Sequence, residues 1–292
     1  LNTMFNVESI PKDTQLRDIL DQCPTDKLEK VYADFFYHLQ RSKYLEAYQF
    51  VEGMYLMPVD GSQYFSSEKI SCPSCLTKTS QKGVIGYSHQ ILQAVIVHPD
   101  NKQVIPLAPE AIQNTDGTEK QDCEINAGKR FIKNFRKTHP KLKIIYSGDD
   151  LFSKQPFIDE LKAANMSFIL VAKPSSHKIL YEWFTDIKQM GEACRLEFTD
   201  FKGRHHIYEW VNEIPLNGTK DADDVNFFYY RLVDKGQITY RNSWVTDILI
   251  DENNVIQLVK GGRARWKVEN EAFNTLKNQG YHIEHNFGHG QQ

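Results

Sequence analysis

The chain carries the stretch GMYLMPVD at residues 53–60, followed at once by GSQYFSS. The apolar run predicts a short buried strand, with Asp60 at its carboxyl end. A second stretch, IIYSGDDLF (144–152), repeats the arrangement, with Asp149 and Asp150 directly after a β-branched run. Because acids at adjacent strand ends of an α/β sheet converge at one edge, we expect these side chains to lie close together.

Strand and helix patterns alternate around this pair of stretches. Residues 53–173 read β-β-β-α-β-α-β, with helices predicted at 118–138 and 153–165. Pro140 is expected to stop the first of these helices. This order predicts an α/β fold with a mixed sheet and helices.

The remaining segments differ from this core in their hydrophobic patterns. Residues 1–52 show helical spacing of apolar residues, which predicts a helical N-terminal region. Residues 174–258 alternate like antiparallel strands, with VIQLV (255–259) as the last such segment, and predict a β-rich insertion. Residues 259–292 return to helical spacing and are expected to complete the core.

Charge is distributed unevenly along the chain. The net charge is −3 and the sequence pI is about 6.4, which argues mildly against a dedicated nucleic-acid binder. Residues 129–143 nevertheless carry seven Lys or Arg and no acid. Lys129, Lys133, Arg136 and Lys137 share a face of the predicted helix. That face is either simply solvated or contacts phosphates.

Five cysteines and the lack of a long apolar run bear on location. There is no apolar run of 18 or more residues, so no membrane span or membrane partner is expected. The N-terminus lacks the basic and apolar regions of a secretory signal. Reduced thiols in the cytoplasm are therefore the expected state.

One pair of cysteines has the spacing of a metal site. Cys72-Pro-Ser-Cys75 supplies only half of a structural zinc site, which takes four ligands. Cys123 or His89 would extend the set if either lies nearby in the fold. The alternative is two reduced thiols in a loop.

A third acid follows the predicted insertion. Glu269 lies in RARWKVENEAF on a predicted helix, with Arg265 four residues earlier on the same face. Close carboxylates repel unless one is protonated or a cation lies between them, and hard cations such as Mg²⁺ prefer oxygen ligands. Each acid also has a simpler explanation. Asp60 would open an Asp-Gly turn, Asp149 would cap the next helix, and Glu269 would form a solvated pair with Arg265.

Several segments taken in order resemble one family. They are DGSQYFSSEKISCPSC, YSHQILQAVIVHP, KQDCEINAGKR, SGDDLFSKQPFI, MSFILVAKP and GRARWKVENEAFNTLKNQGYHIEHNFGHG. Together they resemble bacterial insertion-sequence transposases of the Asp-Asp-Glu group, over most of residues 10–290. The resemblance implies an RNase H-like core with a β-strand insertion before the helix that carries the Glu.

The resemblance also implies a site. Asp60, Asp149 and Glu269 match the three catalytic, metal-binding acids, and Asp150 competes with its neighbour for the second position. They would bind two Mg²⁺ or Mn²⁺ ions. The activity implied is cleavage of transposon ends and joining of the 3′-OH to target DNA.

The helix with the Glu keeps part of a family signature, Tyr-x2-Arg-x3-Glu-x6-Lys. Arg265 and Glu269 keep their spacing, whereas Gly262 stands at the Tyr position and Lys277 falls one residue late. Arg265 would bind a phosphate. The expected DNA contacts are those of the basic helix face with Arg263, Arg265, Lys267, Lys277 and Trp244.

The tryptophans of the insertion have two interpretations. Trp210 and Trp244 would either be core aromatics or stack on a flipped base, as in relatives with such an insertion.

The implied partner is double-stranded DNA, both transposon ends and target. A homodimer on paired ends, and a bacterial cytoplasmic location associated with the nucleoid, follow by analogy. Two alternatives remain at this stage. The first is that the chain is another RNase H-like nuclease or a resolvase. The second is that it is a truncated remnant that binds DNA without cutting it.

Overall fold

The computed structural model describes residues 12–21, 26–114 and 121–284. The first residues of the helix predicted at 118–138 and the end of the chain after residue 284 lie outside these ranges.

The helices are α1 (Asp13–Asp21), α2 (Asp26–Arg41), α3 (Glu124–Thr138), α4 (Gln155–Ala163), α5 (Lys178–Gln189), α6 (Val255–Arg263) and α7 (Asn274–Asn278), with a π-helical turn at Val268–Phe273. The strands are β1 (Tyr55–Ser67), β2 (Leu76–Thr79), β3 (Ile85–Ile96), β4 (Ile105–Pro106), β5 (Glu110–Ile112), β6 (Ile144–Gly148), β7 (Ser167–Val171), β8 (Cys194–Thr199), β9 (His205–Pro215), β10 (Asp224–Asp234) and β11 (Gln237–Thr246).

The described strands form one mixed sheet. Its order is β2-β3-β1-β6-β7-β11-β10-β9-β8, and β4 and β5 both pair with β3. β1, β6 and β7 run parallel, whereas β3 is antiparallel to β1 and β11 is antiparallel to β7. The predicted mixed α/β fold is therefore confirmed at this level.

Apolar side chains cover both faces of the sheet. α3, α4 and α5 pack on one face through side chains such as Phe131, Phe157 and Leu180. α6 and the π-helical turn pack on the other through Leu258 and Val268. β1 and β6 lie between the two cores, which explains why their sequences are continuous apolar runs.

β1 is longer than the sequence predicts, and Asp60 does not end it. β1 pairs with β6 as far as Pro58 and then continues to Ser67 as the antiparallel partner of β3. Asp60 lies opposite Gln93 within this second part. Burial falls at Asp60 because β6 no longer covers this side of the strand.

Two helices occur where the sequence predicts strands. α5 lies within the predicted β-rich insertion, and the segment VIQLV begins α6. In α6 the buried residues Val255, Leu258 and Val259 have helical spacing, but a run this short does not distinguish helix from strand. The alternating segments do form strands, β8 to β11, and they extend the central sheet through the pair β11–β7.

The described residues of the N-terminal region, 12–21 and 26–52, are largely helical, but several of their apolar side chains lie outside the core. Phe36 of α2 is buried. In contrast, Leu16, Ile19, Leu28 and Val31 are exposed. Within the described residues, no helix is long and apolar enough to cross a membrane.

Candidate functional site

Asp60 lies at the point where β1 passes the end of β6. Its Oδ1 accepts a hydrogen bond from the Gly61 amide (3.1 Å), and its Oδ2 lies 3.1 Å from Nη1 of Arg265. The pKa of Asp60 is raised above its ordinary value, and burial is the largest cause. The charge of Arg265 lowers this pKa, and the charge of Asp149 raises it. This position within a strand excludes the simple Asp-Gly turn.

Asp149 follows the last residue of β6 and interacts electrostatically with Asp60. Its Oδ1 accepts the amide of Leu151 at 2.9 Å. It is not a helix cap, because α4 begins later and Lys154 is its N-cap residue. The two acids thus meet because their parallel strands are neighbours in the sheet.

The adjacent acid, Asp150, has a structural role. Its Oδ1 accepts the Lys173 amide at 2.7 Å and the Ser176 hydroxyl at 2.5 Å. It also lies 3.7 Å from Nε2 of His177. These contacts tie the end of β6 to the loop after β7, and they favour Asp149 as the acid that is available for chemistry.

Glu124 is a third acid of this group, and the sequence analysis overlooked it. It is the first residue of α3, and a Cβ built at Gly61 would lie 2.5 Å from its Oε1. Burial, Asp60 and Asp149, in that order, raise the pKa of Glu124. The one signal in the sequence is Gly61 directly after the first acid, because the helix predicted at 118–138 begins too early to mark Glu124 as its first residue.

Tyr146 lies beneath the three acids in the core. It is fully buried, and its hydroxyl has no hydrogen-bond partner among the described residues. Burial and the charges of Asp149, Glu124 and Asp60 raise its pKa well above the ordinary value. The acids therefore form one electrostatic group at the end of β6.

Glu269 lies in the π-helical turn, which packs against β1 and β3. Its side chain is exposed and makes no hydrogen bond or ion pair with the described residues. Arg265 contacts Asp60 instead, so the solvated Arg265–Glu269 pair is not formed. A triad of Asp60, Asp149 and Glu269 stays a prediction. Among the described residues, no three carboxylates bring their oxygens within 4.8 Å of one another.

A polar groove borders the acidic group. It has a volume of about 590 Å³, and Gln63, Ser66 and Gln90 of β1 and β3 are among the residues that line it. Glu124 and Leu151 also line it. A ligand in this groove would therefore lie beside Glu124.

The predicted basic helix face is divided between structural and free cations. Arg136 donates hydrogen bonds to the carbonyl oxygens of Ala164, His139, Leu142 and Asn165. Lys129 pairs with a glutamate of α4, and Lys137 contacts a side chain of its own helix. Lys133 is exposed and makes no polar contact with the described residues. Arg136 thus anchors the loops around α4, and Lys133 is the cation of this face that is free to bind phosphate.

The other predicted DNA-binding cations also have partners. Arg263 lies over the ring of Tyr240, 4.6 Å from its centroid. Lys277 pairs with Glu284 at 2.7 Å. Lys267 is buried, and its Nζ donates to backbone carbonyls in the loop after β3, so it cannot reach DNA in this conformation.

Trp244 is a core residue, which contradicts a direct stacking contact with DNA. Its side chain is 0% exposed and stacks on Phe228, and Trp210 is buried as well. A Cβ built at Gly262 would lie 2.6 Å from Trp244, so α6 approaches β11 too closely for a larger residue. This contact explains why Gly stands at the Tyr position of the signature.

A separate group of thiols lies near the far end of β1. Cys72, Cys75 and His89 bring their ligand atoms within 4.8 Å of one another, and theirs is the one such group of three among the described residues. Cys123 is exposed at the start of α3 and is not part of the group. Of the two candidates from the sequence, His89 is the residue that joins the cysteines.

No protein-family model matches the chain, and the curated proteins contain no match either.

Proposed function

We propose that this protein is a DNA transposase that cleaves and joins phosphodiester bonds with the help of divalent cations. The observation that carries the proposal is the group of Asp60, Asp149 and Glu124, with Arg265 as its cationic neighbour. The charge of Asp149 raises the pKa of Asp60, and the charges of both aspartates raise the pKa of Glu124. Close carboxylates of this kind, beside a single guanidinium, form a site that attracts cations.

The strand order supports an RNase H-like core. β3 pairs antiparallel with β1 and with the short strands β4 and β5, and β6 and β7 then follow in parallel on the other side of β1. α3 and α4 connect the parallel strands. This order agrees with the core that the resemblance implies, and β8 to β11 precede the helix that carries Glu269, as that family requires.

The acidic group fits Mg²⁺ or Mn²⁺ as regards its chemistry. Asp60, Asp149 and Glu124 offer carboxylate oxygens, the ligands that hard divalent cations prefer. Two such ions, when bound, would polarise the scissile phosphate and stabilise the attacking and leaving oxygens.

The protein's own residues would have distinct tasks. Asp60 and Asp149 would hold the cations on rigid strands of the core. Arg265 neutralises Asp60 in the structure described, and it would be free to bind a phosphate once cations replace it. Glu269 lies four residues after Arg265 on the adjacent turn, where it would complete the set on the solvent side.

Glu124 supports a second candidate, an RNase H-like nuclease. With Glu124, the core contains three acids without any contribution from the helix after the insertion. Hydrolysis would then be possible without strand transfer, and Glu269 would be dispensable.

The test uses purified protein, Mg²⁺ or Mn²⁺, and labelled DNA from both sides of the protein's own coding sequence. The variants are Asp60→Asn, Asp149→Asn, Glu124→Gln and Glu269→Gln, with Glu160→Gln as a surface control. A transposase would nick these fragments and join the 3′-OH to a second DNA, and both steps would need Asp60, Asp149 and Glu269.

Other outcomes separate the candidates. Nicking without joining, abolished by Glu124→Gln and kept in Glu269→Gln, would establish the nuclease instead. Wild-type protein that neither nicks nor binds the fragments would overturn both proposals. Cleavage by Asp60→Asn at the wild-type rate would remove the acidic group from the chemistry.

A further inference from the structure

The loop between β1 and β2 brings two cysteines to a histidine of β3. Cys72 and Cys75 lie in this loop, and His89 pairs with Phe65 across the β1–β3 ladder. Both cysteines carry thiols that are not joined in a disulfide, and Cys75 is buried. The group is part of the sheet end beyond Asp60 and is distinct from the acidic group.

The three ligand atoms form a compact triangle. The sulfurs lie 3.6 Å apart, and Nε2 of His89 lies 3.3 Å from Sγ of Cys72 and 3.4 Å from Sγ of Cys75. Tetrahedral zinc with Zn–S of about 2.3 Å and Zn–N of about 2.0–2.1 Å gives edges of about 3.8 Å and 3.6 Å. The observed edges are each shorter by about 0.2–0.3 Å, a difference that small side-chain rotations would remove.

The surroundings hold the ligands in place. The Cys72 amide points at Sγ of Cys75 (3.3 Å), and the Cys75 amide donates to the Cys72 carbonyl (3.1 Å), which closes the loop into a tight turn. The His89 ring stacks on Tyr64, with centroids 5.9 Å apart, and also contacts Phe65. Such support around the ligands fixes their orientation for a metal.

We propose that Cys72, Cys75 and His89 bind a structural Zn²⁺ ion. Two thiolates and an imidazole suit zinc, whereas the oxygen ligands of the acidic group suit Mg²⁺ or Mn²⁺. A structural zinc site takes four ligands, of which the described residues supply three. The ion would fasten the β1–β2 loop to β3 and so stabilise the wall of the groove beside the acids. This inference rests on the thiol geometry and is independent of the proposed function.

The first experiment measures metal content. Protein purified under reducing conditions, without added chelator, is analysed by elemental mass spectrometry for wild type, Cys72→Ser, Cys75→Ser, His89→Ala and the control Cys194→Ser. Cys194 is exposed on β8, far along the sheet. We expect one zinc per chain in wild type and Cys194→Ser, and background levels in the other three.

A second measurement needs no variant and remains valid if a substitution prevents folding. Wild-type protein loaded with Co²⁺ should show the visible absorption of a tetrahedral site and sulfur-to-metal charge transfer, and Zn²⁺ should abolish both. In Mg²⁺-saturated buffer, a zinc-selective chelator should accelerate trypsin cleavage after Lys69, which lies in the β1–β2 loop. If the wild-type protein contains no zinc as purified and binds none when zinc is added, the proposed zinc site is wrong. Zinc retained at full level in Cys72→Ser and Cys75→Ser, or a Cys72–Cys75 disulfide in the freshly purified protein, would also overturn the site.

Discussion

At the residue scale, the acidic group shows how close contacts set the chemistry of single side chains. Gly61 leaves room for Glu124 against β1, and this proximity places a third negative charge beside Asp60 and Asp149. Arg265 is the cation that contacts the group, and it reaches Asp60 alone. The group is therefore under-compensated in charge, which predicts both a cost in stability and an affinity for cations.

Replacing Glu124 should stabilise the protein at neutral pH. The pKa of Glu124 is higher in the folded state than in the unfolded state, so the protein is more stable while this carboxyl is protonated. That stability is present at acid pH and is lost as the pH rises through the folded-state pKa. Glu124→Gln avoids this loss. Without divalent cations at pH 8, we expect Tm to rise by about 1–2 °C, a small gain because solvent screens the charges around this half-exposed carboxylate.

The pH dependence distinguishes this cause from better packing. The gain in Tm should shrink as the pH falls below about 4.3, the ordinary Glu pKa, because Glu124 then becomes protonated in both the unfolded and the folded state. The control Glu160→Gln loses its pair with Lys129 and should not gain stability. A gain for Glu124→Gln that is equal at both pH values would contradict the electrostatic explanation.

Arg265 should compete with divalent cations for Asp60. Its Nη1 lies 3.1 Å from Oδ2 of Asp60, and a partly exposed pair of this kind contributes about 0.5–1 kcal/mol. Arg265→Ala should therefore bind Mn²⁺ about two- to fivefold more tightly, whereas the proposed cleavage of DNA should become slower. Calorimetric titration measures the affinity, with Arg195→Ala as the control for an exposed arginine. Weaker Mn²⁺ binding by Arg265→Ala would show that the guanidinium supports the cations rather than replacing them.

At the element scale, α3 combines two functions on different faces. Its first residue belongs to the acidic group, and its apolar side chains fill the core. Near its last turn, Arg136 binds backbone carbonyls of two loops, whereas Lys133 one turn earlier is exposed. Arg136 therefore has a structural role, whereas Lys133 on the same helix has none in the described residues.

Two alanine substitutions should separate these roles. Arg136→Ala removes hydrogen bonds to four carbonyl oxygens and should lower the free energy of unfolding by about 2 kcal/mol. Lys133→Ala should change it by no more than about 0.5 kcal/mol. If α3 contacts DNA, Lys133→Ala should also reduce the salt dependence of binding by about one unit in slope. Urea unfolding measures the stability effects, and DNA binding at several salt concentrations measures the change in slope. If Lys133→Ala strongly destabilises the protein, Lys133 has a structural role and the contrast with Arg136 is wrong.

At the scale of the whole molecule, the strands after residue 174 are part of the central sheet. β11 pairs with β7 through Trp244, Val245 and Thr246, and the cores on both faces include side chains from β1 and from β10. The predicted boundary at residue 174 therefore separates strands of one hydrogen-bonded sheet, and the predicted boundary at residue 258 lies inside α6. Such continuity favours a single cooperative unit.

Unfolding should accordingly occur in one transition. The four tryptophans all lie after residue 174, so their fluorescence reports on this part of the sheet. Hydrogen exchange in β1 and β6 reports on the acidic end. We expect both signals to give the same urea midpoint, because neither part can expose its edge strand without loss of the shared core. A lower midpoint for fluorescence alone would show that the insertion unfolds independently.

The sequence by itself determined the features that depend on local pattern. The apolar runs before Asp60 and Asp149 predicted two core strands, and the alternating segments after residue 174 predicted the strands of the insertion. Tertiary structure alone decided which side chains meet. It extended β1 beyond Asp60 because β3 continues the pairing, and it brought Glu124 to Gly61 and His89 to the cysteines. It also buried Trp244 and Lys267, whose residue types had suggested DNA contacts. Such contacts join residues distant in sequence, and their formation depends on sheet order and helix packing, which no local period encodes.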